Sequence, residues 1–239
     1  MRPCFSPPSG KLLFKKQAQQ LMSELKRWSV PDLMRQMKLS EEKGNETFHM
    51  IQQWGAKKNQ INSAPALFAY IGEAFKALDA DHLKEEEVAY LNKHLFILSG
   101  LYGLLRANDL IEPYRLEMAQ RGVAPEEQSL YHFWRADVEK NMLKQLTKGE
   151  SLLNLASSEY SDLLQAPKLR SIIYTPHFYE KKNGELKSVS VFSKQARGTM
   201  ARWCAVYNIV QPIDIKSFDA LGYQFSSENS DGNELVFIR

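Results

Sequence analysis

The chain has 239 residues, of which 44% are hydrophobic and 25% are charged, a composition typical of a globular protein with a sizeable core. Its formal net charge of +3 permits a nucleic-acid partner, although many duplex-binding domains are more basic. No apolar run approaches the roughly 20 residues of a membrane-spanning helix, and the first residues lack the apolar segment of a signal peptide. We therefore expect a cytoplasmic protein without a membrane partner.

Candidate metal and redox residues are few. The five histidines include no locally spaced ligand pair, and Cys-x-x-Cys, P-loop and G-x-G-x-x-G motifs are absent. Glu46 and His49 form one Glu-x-x-His motif, whereas a di-iron bundle needs two, so we interpret it as a solvated helix face. Cys4 and Cys204 are expected to be free thiols in a reducing compartment, with a redox-sensing pair as the alternative. We predict no metal and no cofactor.

Helical spacing of apolar residues dominates the first half of the chain. Pro31 suits the first turn of a helix, and acidic residues favour another helix start near Asp79. Residues 64–78 begin like a buried strand and continue as a helix or loop. The predicted helices cover residues 15–28, 31–39, 45–54, 79–98 and 129–146. In the last of these, the residues expected to face the core are Leu130, Phe133, Trp134, Val138 and Met142.

The second half has a different pattern. Residues 170–192 contain two β-rich runs around Asn183-Gly184, the dipeptide that type I′ hairpin turns prefer. A short strand is predicted over residues 151–157, a helix over 194–209, and two strands near the end of the chain. This mixture predicts an α+β (mixed α/β) fold with a helical first half and antiparallel hairpins in the second. We expect one domain, residues 1–239, because no change in composition divides the chain.

Residues 98–110, LSGLYGLLRANDL, place two glycines beside an arginine between apolar segments. One interpretation is a helix-hairpin-helix, in which the backbone amides at Gly100 and Gly103 approach a phosphate and Arg106 adds attraction, helped by Arg115. The glycines are three apart, which also resembles the helix-GxxG-helix of KH domains. The other interpretation is a plain turn between two packed helices.

A second basic feature is SKQARGTMARWCAVY, residues 193–207. On a helix, Lys194, Gly198 and Arg202 share the side opposite an apolar arc, and Arg197 lies between the two. The missing side chain at Gly198 would let a phosphate or sugar approach the helix. Alternatively, the segment is a solvated amphipathic helix whose glycine serves packing. The apolar arc consists of Met200, Trp203, Cys204 and Tyr207.

Two polar clusters are less specific. Lys11, in the segment Ser9-Gly10-Lys11, could belong to an anion-binding turn or to a Pro-rich terminal loop. A possible cleft lies at NLASSEY, because polar residues that follow a strand often line sites but also cap helices. Its polar residues are Asn154, Ser157, Glu159 and Tyr160. The sequence assigns none of them an acid, base or nucleophile role.

Several blocks in order and spacing resemble the YaaA family, the peroxide-stress-resistance proteins of bacteria. The resemblance extends over residues 5–237, nearly the whole chain. Because the blocks agree in order, their combination is far more specific than any one of them. The blocks are LSGLYGLLRANDLIEPYRLEM, YHFW, NLASSEY, FSKQARGTMARW and FDALGYQFSSENSDGNELVF.

This resemblance implies a single compact mixed α/β domain with a positively charged cleft and a helix-hairpin-helix at residues 98–110. It also implies binding to duplex or branched DNA, within a response to hydrogen peroxide linked to DNA protection, repair and lowered free iron. Lys11 is displaced from the position that the family's SP-x-K motif gives its lysine. The cations that the cleft would use are Arg106, Arg115, Lys194, Arg197 and Arg202.

We consider three functions. The first is a non-catalytic DNA-binding protein of the peroxide response, which contacts phosphates with little sequence preference. The second is an enzyme acting on a base or nucleotide in DNA repair, with Asn154, Glu159 and Tyr160 at the edge of its cleft. The third is an iron-handling protein, for which the single Glu-x-x-His motif is a weak basis.

Overall fold

The computed structural model describes residues 12–56 and 62–239. Most helices precede the strands of the larger sheet in the chain, and the mixed α/β class predicted from the sequence is confirmed. Lys11 and Cys4 lie outside the described residues. The helices are α1 Lys15–Leu25, α2 Val30–Met37, α3 Glu41–Gln53, α4 Ala66–Ala69, α5 Glu73–Leu78, α6 Glu85–His94, α7 Leu130–Gln145, α8 Ser158–Ser161, α9 Pro167–Arg170 and α10 Ser190–Val206.

The strands form two small ladders and one larger sheet. β1 pairs with β4, β2 pairs with β3, and the larger sheet has the order β5-β6-β9-β8, with β7 paired to β6. Strand β6 lies parallel to β5 and β9, whereas β8 is antiparallel to β9. The strands are β1 Ala64–Pro65, β2 Phe96–Ser99, β3 Gly103–Arg106, β4 Leu110–Ile111, β5 Leu152–Leu153, β6 Ile173–Lys182, β7 Glu185–Lys187, β8 Gln224–Asp231 and β9 Glu234–Ile238.

Helices α1, α2 and α3 pack with α7 around one apolar core. Leu130, Trp134, Val138 and Met142 are buried on one side of α7 at helical spacing, as predicted. The start of α2 is stabilised by a capping box, in which Asp32 N–H donates to Ser29 Oγ and Ser29 N–H donates to the Asp32 carboxylate. These helices leave the 98–110 segment enclosed by apolar side chains.

The helix-hairpin-helix prediction is wrong, because residues 96–106 form an antiparallel β-hairpin. Strand β2 follows α6 directly and pairs with β3 in the register Phe96 to Arg106 and Ser99 to Gly103. The helix predicted over residues 79–98 therefore ends at His94. A short, continuously apolar run is compatible with a buried strand as well as a helix, and periodicity alone does not separate them.

The two glycines of this hairpin meet requirements of packing. Gly103 has φ +68°, and a Cβ there would lie 2.7 Å from the Trp134 ring. A Cβ at Gly100 would lie 2.5 Å from the carbonyl oxygen of Leu116, and the Gly100 carbonyl accepts a 2.8 Å hydrogen bond from Trp134 Nε1. Both residues are buried, so the turn faces the core and does not present its amides to a phosphate.

The predicted hairpin around Asn183-Gly184 is confirmed. Strands β6 and β7 pair antiparallel, and both turn residues have positive φ, 52° and 81°, as a type I′ turn requires. The sheet buries one face against α10, where Phe178, Leu235 and Phe237 meet Met200 and neighbouring side chains. This packing makes α10 the element between the sheet and the first-half helices.

Candidate basic surface

Helix α10 is buried on two sides. Ala196, Met200 and Cys204 belong to the core shared with the sheet, while Ala201 and Ala205 belong to a second core shared with α5 and α6. The side that the sequence suggests is solvated is therefore partly covered by α5. This arrangement determines which groups each cation on α10 contacts.

Gly198 is explained by the contact with α5. A Cβ at Gly198 would overlap the Ala74 carbonyl oxygen and would lie 2.7 Å from the Ala74 carbonyl carbon. The space that sequence reasoning reserved for a phosphate or sugar is thus occupied by backbone, and this interpretation of Gly198 is corrected. The packing alternative is the one that the structure supports.

Arg202 anchors the end of α5. Its Nη1 donates to the carbonyl oxygens of Leu78 and Asp79, at 3.1 and 2.8 Å, and lies 3.2 Å from an Asp79 carboxylate oxygen. Its Nη2 donates to the His82 carbonyl oxygen at 3.3 Å. Asp79 has φ +54° and ends the helix, so Arg202 satisfies carbonyls that a helix terminus leaves without partners. Its charge is shared with a carboxylate.

Lys194 and Arg197 have different surroundings from Arg202. Gly198 packs against Ala74 near the start of α5, and Arg202 donates to the Leu78 carbonyl oxygen at its end. The two helices therefore run in the same direction, and Lys194 lies toward the start of α5. Lys194 is exposed. Arg197 is half-buried, and burial lowers the pKa of its guanidinium. Within the described residues, neither side chain forms an ion pair with a carboxylate.

Arg106 is held against the protein. Its guanidinium lies 4.3 Å from the centre of the Phe96 ring, and its Nη2 donates a 2.6 Å hydrogen bond to the Lys93 carbonyl oxygen. Burial lowers the pKa of Arg106, while the nearby Asp109 carboxylate opposes that shift. Arg106 therefore stabilises the contact between β3 and the end of α6.

Arg115 lies in a segment whose alternate side chains are exposed. Residues 115–119 alternate between exposed and buried, with Leu116 and Met118 facing the core. Arg115 Nη2 lies 4.0 Å from a Glu117 carboxylate oxygen, and the Arg115 side chain is 43% exposed, so solvent weakens this pair. Arg115 shares a groove of about 400 Å³ with residues from the end of α2. We call it the α2 groove; its lining residues are Gln36, Met37, Lys38, Arg115, Glu117, Ala119, Gln120 and Arg121.

A cluster of hydroxyl groups is centred on Tyr114, the residue before Arg115, and sequence reasoning missed it. Tyr114 OH is 2.7 Å from both Tyr70 OH and Ser99 Oγ, and Tyr102 N–H donates to Ser99 Oγ at 2.9 Å. Burial raises the pKa of Tyr70 and Tyr114 well above the usual range of tyrosine. Both hydroxyls therefore stay protonated near neutral pH. The sequence signal is weak, because aromatic residues also fill ordinary cores.

The predicted polar cleft after β5 lies partly against the same segment. Glu159 accepts a 3.1 Å hydrogen bond from Ala119 N–H, and burial raises the pKa of Tyr160, an effect that the Met118 backbone partly opposes. Asn154 Oδ1 accepts the Ala156 N–H, and Ser157 precedes α8. The structure thus brings Glu159 and Tyr160 to the Arg115 segment. The partners of the Glu159 and Asn154 side chains are backbone N–H groups.

The other predictions concern the Cys204 thiol, metal binding and membrane-spanning helices. Cys204 is buried, and this burial raises the pKa of its thiol to about 12, which disfavours the reactive thiolate. Over residues 12–56 and 62–239, no group of three or more histidine, cysteine or acidic side chains could hold a metal ion. In the same ranges, no helix has the length and apolar character to cross a bilayer.

Comparisons with known proteins agree on one family. The sequence profile of the family described as "Peroxide stress protein YaaA" matches residues 3–229. A UPF0246 protein of Saccharophagus degradans is 38% identical over 92% of this chain and 87% of its own length. A UPF0246 protein of Legionella pneumophila strain Corby is 39% identical over 98% and 93%, and one of Clostridium perfringens is 36% identical over 100% and 94%. The chain therefore belongs to the YaaA family of peroxide stress proteins.

Proposed function

We propose that this peroxide stress protein binds DNA through phosphate contacts made by exposed cations, with little preference for sequence. The observation that carries the proposal is the environment of Arg197, whose guanidinium is half-buried. A half-buried guanidinium without a carboxylate partner is energetically unfavourable, because burial removes water from the charge and the hydrogen bond to the Ser193 carbonyl oxygen replaces only part of it. Such perturbed groups occur preferentially at functional sites, and a phosphate would supply the missing anion.

The neighbours of Arg197 support the proposal. Lys194 lies three residues earlier on the same side of α10 and is exposed. The start of α5, toward which Lys194 lies, follows Tyr70, whose hydroxyl contacts Tyr114 at 2.7 Å. Arg115 comes directly after Tyr114. The Tyr70–Tyr114 contact joins the segment before α5 to the segment that carries Arg115, and we include Arg115 as a third cation of the proposed surface.

The proposal differs from the sequence-based one in its residues. Arg202 shares its charge with Asp79, and Arg106 is bound to Phe96 and the Lys93 carbonyl oxygen. We assign these two arginines to the stability of the fold. Phosphate contacts then come from fewer cations, and the salt dependence of binding should be correspondingly shallow.

The test is a titration of a fluorescent duplex with the full chain, followed by anisotropy at about 50 mM salt and above. We expect Arg197→Ala to weaken binding about 10-fold for every duplex sequence tried and to reduce the slope of log K against log salt by about 1. Lys144→Ala is the matched control, because Lys144 is an exposed cation on α7. It should bind like the parent protein.

Two outcomes would contradict the proposal. One is an absence of binding to duplex and junction DNA at low salt. The other is equal loss of affinity in Arg197→Ala and Lys144→Ala, since that would reflect net charge alone. Either result would leave membership of the peroxide stress family intact.

A further inference from the structure

A second feature of the surface, the α2 groove, is not used by the proposed function except for Arg115. Three cations line it: Lys38, Arg115 and Arg121. Lys38 and Arg121 are exposed, and within the described residues neither forms an ion pair with a carboxylate. A concave surface lined by one sign of charge focuses the field and attracts the opposite charge.

The groups of opposite sign at the groove are weaker. Glu117 is the lining carboxylate, and it lies 4.0 Å from Arg115 with 68% of its side chain exposed. Glu159 lies behind the groove, where it accepts the Ala119 N–H. The carboxyl-terminal end of α2 adds a partial negative charge of about half a unit. Three cations exceed these contributions, so the groove favours an anion.

Contacts within the fold fix the backbone on both walls of the groove. Lys38 has φ +53° and its N–H donates to the Met34 carbonyl oxygen, which fixes the end of α2. On the other side, buried Leu116 and Met118 hold the chain so that Arg115 and Glu117 face outward. A turn closes this wall, with a 3.1 Å hydrogen bond from Gln120 N–H to the Glu117 carbonyl oxygen. Positions fixed in advance reduce the entropy lost on binding.

We propose that the α2 groove is a phosphate-binding site. Guanidinium groups match phosphate oxygens bidentately, and Lys38 adds a point charge. The amide groups of Gln36 and Gln120, which also line the groove, are donors and acceptors suited to a ligand that carries a phosphate. The phosphate can belong to a small molecule or to the backbone of a nucleic acid, and the volume of about 400 Å³ accommodates either a free phosphate or one nucleotide.

The experiment uses the full chain and inorganic phosphate in a chloride buffer of low ionic strength. Calorimetry measures affinity, and backbone amide shifts at residues 36–38 and 117–121 locate the site. We expect saturable binding that weakens at least about 5-fold in Lys38→Ala and in Arg121→Ala, since each removes one charge-assisted contact. Lys144→Ala, which removes one positive charge elsewhere, should leave the affinity unchanged.

A further titration separates the two sources of phosphate. If a short duplex displaces inorganic phosphate from the groove, the groove contacts a nucleic-acid backbone; if phosphate and duplex bind together, the groove serves a free phosphate or nucleotide. Both results support the site. It is refuted if phosphate binding does not saturate, if the shifts lie elsewhere, or if Lys144→Ala weakens binding as much as Arg121→Ala does.

The outcome is independent of the DNA-binding proposal. Phosphate binding that depends on Lys38 and Arg121, with no binding of DNA, would retain this site and reject the proposed function. DNA binding that depends on Arg197 but not on Lys38 or Arg121, with no phosphate binding, would do the reverse.

Discussion

Arg197 and Arg202 lie five residues apart on α10, yet their guanidinium groups have opposite surroundings. Arg202 reaches three carbonyl oxygens and one carboxylate at the end of α5. Among residues 12–56 and 62–239, Arg197 donates only to the Ser193 carbonyl oxygen within its own helix, at 3.1 Å, and burial lowers its pKa. A cation's role therefore depends on whether the fold already supplies its anion, and only Arg197 remains available for an external one.

The contact that separates the two arginines can be broken at Gly198. Replacing Gly198 by Ala adds a methyl group that overlaps the Ala74 carbonyl oxygen. A typical gain in helix propensity of about 1 kcal/mol opposes an overpacking penalty of up to about 3 kcal/mol or more. We expect a net loss of about 2 kcal/mol in the free energy of unfolding, measured by urea denaturation.

Gly72→Ala is the control for this change. A Cβ at Gly72 meets nothing within 4 Å, and the residue has an ordinary φ of −66° at the start of α5. Because Gly72 is the N-cap of α5, where glycine is preferred over alanine, we expect a loss of about 0.5 kcal/mol, smaller than that of Gly198→Ala. An unchanged urea midpoint for Gly198→Ala would show that α5 and α10 do not approach so closely.

Replacing Arg202 by Met tests the hydrogen bonds and the ion pair that Arg202 forms at the end of α5. The change leaves the carbonyl oxygens at the end of α5 without their arginine donor and removes the Arg202–Asp79 ion pair. We expect the free energy of unfolding to fall by about 1.5 kcal/mol, a value kept modest because the Asp79 side chain is 44% exposed and solvent screens the pair. The affinity of the folded protein for DNA should stay close to that of the parent.

The same substitution at Arg197 should have the opposite pattern. Met keeps much of the aliphatic stem and removes a charge that burial disfavours. The free energy of unfolding should therefore stay constant or rise by up to about 0.5 kcal/mol, while DNA affinity falls about 10-fold. Urea denaturation and anisotropy on the same two variants measure both effects. A loss of stability at Arg197 equal to that at Arg202 would remove the distinction between the two arginines.

The smallest expected effect is the pH dependence of stability that His82, near Arg202, contributes. A hydrogen bond to the Asp79 carboxylate raises the pKa of His82 in the folded protein, and the nearby Arg202 charge partly opposes this. Because the folded-state pKa is raised, protonated His82 stabilises the fold fully below its unfolded value of about 6.5. This contribution disappears as pH rises through the folded-state pKa.

His82→Ala isolates that contribution. The difference in urea midpoint between the parent and His82→Ala should be larger at about pH 5.5 than at about pH 8.5. Both partners are exposed, with side-chain accessibilities of 77% and 44%, so the effect is small. If the difference in urea midpoint grew toward high pH, a stabilising ion pair between His82 and Asp79 would be contradicted.

Local features of the sequence were sufficient for much of the fold. The spacing of Leu130, Trp134, Val138 and Met142 predicted a helix and its buried side, because side chains four apart share a helix face. Asn183-Gly184 predicted its hairpin, because that turn demands two positive φ values. For these elements, the identity and spacing of nearby residues determine the local conformation.

The 98–110 segment and the cations depended on partners distant in the chain. Leucines, glycines and a serine in LSGLYGLLR suit a turn between helices as well as a β-hairpin, and the bulk of Trp134 and the Leu116 carbonyl oxygen limit both glycine positions. Likewise, the sequence analysis assigned both Arg197 and Arg202 to the same cleft, and it gave no reason to join Lys38 and Arg121 with Arg115. Neutralisation of a charge requires an anion within a few ångströms, and only the tertiary structure decides which carboxylates and carbonyl oxygens come that near.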